Sequence, residues 1–235
     1  MNNLIDWNAR LLPCMRGYIT SPGDSVRALE ECSARFGTDA FCMTADFDCS
    51  TESVAMFLLR LSRSQALLAS QLPKKIKIKV YASVLLLPDL SETDSLGKLL
   101  FSSQKLLPIK LPITNYEDWM DLEFNHLLYR NKFRLLFTSF ELAAVLYPHD
   151  IIEKLMRISG AVFQFNYRSL TDPKVCRIIK KLIAQKSQIL LGTSLDSLEK
   201  IYFYELDHYL AVAKQTFSKD EYRILMNSGA SLWKL

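Results

Sequence analysis

The hydrophobic pattern changes period repeatedly along the chain. Lys75-Ile76-Lys77-Ile78-Lys79-Val80 alternates apolar and basic residues, the period of a strand with one buried face. Its continuation over 81–87 is apolar at nearly every position, as in a strand covered on both faces. Upstream, Ser21-Pro22-Gly23-Asp24 combines a capping serine, a proline at the first helical position and an acid in the first turn. A helix is expected over 25–36, stopped by Gly37. The short apolar run 40–45 reads as a buried strand, and Ser50 or Thr51 as the cap of a helix carrying Val54, Phe57, Leu58 and Leu61 at helical spacing.

The same alternation continues. Strands are expected over 4–12, 106–111, 133–138, 160–166 and 188–192. Helices are expected over 116–130, 150–158 and 172–186, then through the C-terminus, with Ser218 capping 219–226. Seven strand candidates, most followed by a helix, imply an α/β fold with a mostly parallel sheet. Seven βα units suit a closed, distorted, TIM-like barrel with a helical C-terminus; an open doubly wound sheet fits the pattern too. In both, chemistry belongs at the C-terminal ends of the strands. Those positions are Asn8 and Arg10, Asp46, Ser83, Ser139 and Glu141, Asn166, then Ser194 and Asp196.

Composition narrows the setting. With 235 residues, 49% hydrophobic and 23% charged, the chain is globular, and seven glycines and eight prolines leave little for a linker. A single domain over 1–235 is expected. No apolar run reaches the roughly 18 residues of a membrane span, and the start lacks a basic-then-apolar leader, so no membrane insertion is expected. Five cysteines without a Cys-x-x-Cys pair suggest reduced thiols and a cytoplasmic protein. A formal charge of +4 does not call for nucleic acid.

Few residues offer hydrolytic chemistry. The three histidines, His126, His149 and His208, fall in a helix, a turn and the C-terminal helical region, away from strand ends. Asp46, Glu141 and Asp196 could together hold one Mg²⁺ or Mn²⁺, although acids at such positions also cap helices. No cysteine has arginine six residues on; the occupants are Thr20, Thr38, Asp48, Ala55 and Leu182. Gly-x-Ser-x-Gly and phosphate-binding glycine loops do not occur. The basic stripe Lys74, Lys75, Lys77 and Lys79 lies at a strand start, where a solvated face explains it. Arg10 would project at the mouth, to bind an anion or to pair with Asp46 or Asp196.

Several ordered segments resemble the capsule-biosynthesis branch of the PHP (polymerase and histidinol phosphatase) superfamily, over roughly residues 4–200. They are 160–166 with Ser169-Leu170, the Leu11-Leu12-Pro13 turn, the helix start at 22–32 and Leu87-Pro88-Asp89-Leu90. The resemblance implies a distorted seven-unit barrel carrying a metal cluster, usually manganese, that dephosphorylates tyrosine on partner kinases. Asn8 and Arg10 stand where the family has His-x-His, and Cys14 stands for the turn's glycine, with Arg16 and Gly17 in place of an acidic pair. Thr44-Ala45-Asp46 replaces Thr-Pro-His, Ser83 a bridging glutamate, Ser139-Phe140-Glu141-Leu142 His-Pro-Glu-Arg, and Thr193-Ser194-Leu195-Asp196 Ser-Asp-Ala-His.

The resemblance therefore implies a retained scaffold without its metal ligands: a pseudophosphatase with no cofactor. Its partner would be a phosphotyrosine-bearing kinase or an active paralogue, met at an anion pocket of Arg10, Gln164, Asn166 and Arg168. Two alternatives stand beside it. One is an active phosphatase with a single metal on Asp46, Glu141 and Asp196; the other is a structural subunit pairing with an active paralogue.

Overall fold

A computed structural model describes residues 4–15, 21–101 and 104–233, so Arg16 and Gly17 lie outside the described residues. Seven parallel strands follow the chain in order: β1 (Ile5–Ala9), β2 (Ala40–Phe47), β3 (Lys77–Leu85), β4 (Leu106–Lys110), β5 (Arg134–Thr138), β6 (Val162–Asn166) and β7 (Gln188–Gly192). Each pairs with the next, β2 and β3 over the longest register, Ala40 opposite Lys77 through Phe47 opposite Val84.

The sheet nearly closes into a barrel. Just beyond β7, Ser194 N donates to Asn8 O (2.8 Å), and Arg10 N donates to Leu195 O (2.8 Å). Gly192 makes this approach possible: a Cβ there would lie 2.5 Å from Asn8 N. The pattern's two architectures are thereby resolved in favour of the barrel.

Helices cover the outside: α1 (Pro22–Phe36), α2 (Val54–Ala69), α3 (Asp118–Asn125), α4 (Phe140–Leu146), α5 (His149–Met156), α6 (Pro173–Ala184), α7 (Leu198–Tyr202), α8 (Leu206–Thr216), α9 (Lys219–Asn227) and α10 (Ala230–Trp233). Among the described residues no helix is long and apolar enough to cross a membrane. Ser21 caps α1, accepting from Asp24 N, and Gly37 ends it in the left-handed region (φ 64°). The cap of α2 is Ser53, not Ser50 or Thr51, because Asp48 Oδ1 draws Ser50 N (2.9 Å) into a turn of its own. The helix expected over 116–130 is shorter and runs into a π-helical turn, His126–Arg130. Periodicity missed α4, whose seven residues start directly at the end of β5.

Two apolar regions flank the barrel wall. The larger lies between strands and helices; the smaller fills the barrel with one residue from each strand: Trp7, Cys42, Tyr81, Leu106, Leu136, Val162 and Leu190. Leu232 of α10 and Phe101 complete that plug, and Trp233 packs edge-on against Trp7 at 6.1 Å. Lys79 departs from the solvated stripe expected of it: its Nζ donates to Trp233 O at 2.5 Å, tying α10 under the barrel.

Side chains two positions further along each strand face the same interior. There the filling turns polar: Thr44, Ser83, Thr138 and Gln164 are all buried. In β1 the register slips between Asp6 and Ala9, which brings Asn8 into this layer. Above it stand Arg10, Asp46, Lys110 and Asn166, at the strand ends. Along its axis the interior passes from apolar plug to neutral polar layer to charged rim.

Candidate functional site at the barrel mouth

Asn8 joins four neighbours. Its Nδ2 lies 2.9 Å from Ser194 Oγ, 3.2 Å from Gln164 Oε1 and 3.5 Å from Ser139 Oγ. Thr44 Oγ1 donates to its Oδ1 at 2.6 Å. Ser139 N also donates to Gln164 Oε1 (2.7 Å), and Ser83 pairs with Thr138 through their hydroxyls (2.9 Å). Ser139 (φ 52°) and Ser194 (φ 54°) both adopt left-handed backbone, which turns their strands abruptly toward the network. Buried polar groups need partners, and these neutral side chains supply them for one another.

Beneath the network, Asp6 accepts from Asn8 N (3.0 Å), Thr193 N (2.9 Å) and Thr193 Oγ1 (2.5 Å). Burial nevertheless pushes its carboxyl above the ordinary range.

The rim is charged. Asp46 Oδ1 receives Arg10 at 3.0 Å, and its Oδ2 receives the Lys110 ammonium at 2.7 Å. Of the two partners expected for Arg10, the structure selects Asp46. Asp196 pairs instead with Lys200, one helical turn on, at 2.7 Å. Glu141 Oε2 accepts from Asn166 N at 3.2 Å. Burial raises the Glu141 carboxyl to about 7, against backbone N–H donors and Arg10, which hold it down.

The four residues expected to form an anion pocket do not converge. Gln164 is fully buried, with its carbonyl engaged by Asn8 and Ser139 and its amide by Phe165 O (2.8 Å). Asn166 donates to Thr193 O (2.8 Å) and accepts from Tyr204 OH (2.7 Å) and Arg168 N (2.8 Å), fixing the turn after β6. Arg168 is exposed and joins through its backbone. Arg10 and Asn166 both stand at the rim, and of the two Arg10 alone carries a charge there.

Nor do the residues at the mouth fit a metal cluster. Among the described residues, no three His, Cys, Asp or Glu side chains gather where they could hold a metal ion. Asp46 faces two cations, Glu141 a backbone amide and Asp196 a lysine, so the expected trio is dispersed. The histidines sit elsewhere: His126 beside Ser91 Oγ (3.3 Å), His149 at the start of α5, and His208 against Tyr209.

Sequence reasoning overlooked Lys110, Thr44 and Thr138. Lys110 carried a usable signal: it is the one charge in the apolar run Leu106–Leu111 and falls at a strand end, where chemistry was sought. Thr44 was quoted only as part of the segment standing for Thr-Pro-His, and Thr138 gave no signal, because a threonine in a strand is unremarkable until its hydroxyl is seen to have a partner.

The architecture matches a solved chain from a crystallographic study of YwqE from Bacillus subtilis and CpsB from Streptococcus pneumoniae, described as unique metal-dependent tyrosine phosphatases. The TM-score is 0.72, over 98% of this chain and 94% of that one. The present chain shares their fold. Identity is 14%, so the likeness extends to architecture and leaves chemistry to the residues themselves. No protein-family model matches the sequence, and no curated protein matches it.

Proposed function

We propose that this chain is a pseudophosphatase: a PHP-phosphatase-like barrel that binds a partner without turning it over. One observation carries the reading. At the strand ends, where the shared fold would place a hydrolytic centre, Arg10 and Lys110 converge on Asp46 above the buried Asn8 network. A metal-activated hydroxide needs imidazole or carboxylate donors around it. Here Asp46 faces two cations, Asp196 pairs with Lys200 and Glu141 accepts from Asn166 N, while the layer below offers amides and hydroxyls.

The rim supports a role in recognition. Arg10 and Lys110 share the Asp46 carboxylate, and protonation of Glu141 beside Arg10 leaves one positive charge there suited to an anionic side chain. Phosphotyrosine on a kinase tail, in a cytoplasmic setting linked to capsule or exopolysaccharide biosynthesis, is the partner this reading favours. An active paralogue is the other protein partner in view.

Two measurements on the purified chain test the proposal. With excess manganese, p-nitrophenyl phosphate should go unhydrolysed and elemental analysis should find substoichiometric metal. Calorimetry with a phosphotyrosine peptide should give saturable heat that Lys110→Ala weakens. Robust phosphoester cleavage would make the chain an enzyme, and a flat titration would remove the phosphotyrosine partner.

A further inference from the structure

A second cleft lies on the barrel's flank, remote from the mouth. It holds about 540 Å³ and is bounded by α3, the π-helical turn 126–130, the start of β5 and α5. That volume is in the range of small-molecule sites, which combine apolar walls with a few polar groups. Tyr116, Phe124, Tyr129 and Phe133 give it aromatic walls. Lys132, Arg134, Lys154 and Arg157 give it four cations against the single carboxylate of Asp121.

These charges are not equivalent. Lys154 is paired with Asp121 at 2.5 Å, and Arg134 is held on Gly160 O (3.1 and 2.9 Å) and Gln104 (2.6 Å). Lys132 and Arg157 are exposed at the cleft's edge. Tyr129 is 76% exposed, a large ring displayed to solvent beside them. The backbone is unusual at the same place: Tyr129 belongs to the π-helical turn, and Lys132 adopts left-handed geometry at φ 56°. π-turns recur at functional sites, and a non-glycine residue in that region persists where its surroundings enforce it.

We infer that this cleft is a binding site for a small organic anion with a flat aromatic body. The ring would lie among Tyr116, Phe124, Tyr129 and Phe133, while Lys132 and Arg157 would meet its acidic group at the entrance. Aromatic rings attract such a body through offset or edge-on stacking, and a guanidinium can pair with either a carboxylate or a sulfonate. The inference is independent of the reading proposed for the mouth.

Calorimetry of the full chain with 1-naphthalenesulfonate, which contains no phosphoester, tests it. Saturable 1:1 binding is expected. Lys132→Glu/Arg157→Glu should weaken it at least about tenfold, and Tyr129→Ala, a change at an exposed position, should weaken it too. Lys110→Ala at the mouth should leave it unchanged. Absent binding, or binding indifferent to both cleft variants, overturns the site. Loss on Lys110→Ala alone would mean that the mouth reads the anion, overturning the cleft while leaving the mouth's reading intact.

Discussion

Arg10, just after β1, and Lys110, at the end of β4, close on the same Asp46 carboxylate at 3.0 and 2.7 Å. The two cations reach Asp46 because consecutive pairing brings β1, β2, β3 and β4 around one rim. Neither ion pair is available to a local stretch of chain.

Asp46→Ala leaves Arg10 and Lys110 facing each other without their shared counter-charge. Asp46 is 37% exposed, so solvent screens the loss, and the cost should be about 1 kcal/mol. Urea unfolding should show that penalty shrinking as salt is raised, because salt screens repulsion between like charges. An unchanged midpoint in low salt would show that the cluster adds nothing to stability.

Glu141 should make stability fall between pH 4.5, its ordinary value, and about 7, its value in the fold. In that window the native state keeps a proton the unfolded chain has released, so rising pH favours unfolding. The whole effect should be on the order of 3 kcal/mol. Chemical denaturation across that range should show a shallower slope for Glu141→Gln than for the parent chain, and equal slopes would refute the buried acid.

Gly192→Ala places a Cβ 2.5 Å from Asn8 N, against backbone that cannot swing away. Overpacking of this kind costs about 2–3 kcal/mol. Hydrogen exchange should localise the damage, with faster exchange at Ser194 N and Arg10 N, the two amides that close the barrel.

Leu232→Ala removes a fully buried side chain from the plug that Trp7 and Leu190 share. The cost should be about 2–4 kcal/mol, with a matching drop in thermal midpoint by calorimetry. A change under about 0.5 kcal/mol, the range of ordinary surface substitutions, would mean that α10 does not seal the barrel.

Most of the architecture was legible along the chain. The Ser21-Pro22 helix start and the Ser218 cap specify local structure and fold accordingly, and the alternation at 75–80 marks a strand that starts at Lys77, with Lys79 drawn out of the solvated stripe by Trp233 O. The helix α4 escaped because both its faces are apolar: Phe140, Ala143, Ala144 and Tyr147 are buried at helical spacing, but Leu142, Val145 and Leu146 on the other side are exposed, so the polar contrast that reveals a period is missing. The candidate site was legible as positions and not as contacts. Asn8, Arg10, Asp46, Ser139 and Ser194 do meet at the mouth, whereas Gln164 is turned into the neutral layer and Asp196 toward Lys200.

The sequence by itself determined the order of strands and helices, because periodicity, caps and turn residues act over a few neighbours. It also determined which residue types stand at the strand ends, and so the poverty of imidazole there. Tertiary structure alone decided that the sheet curls until β7 meets β1, that a slip in β1 brings Asn8 inward, and that Lys110 joins Arg10 on Asp46. Those outcomes depend on strand tilt and register around a nearly closed barrel, where residues far apart in sequence compete for one interior volume.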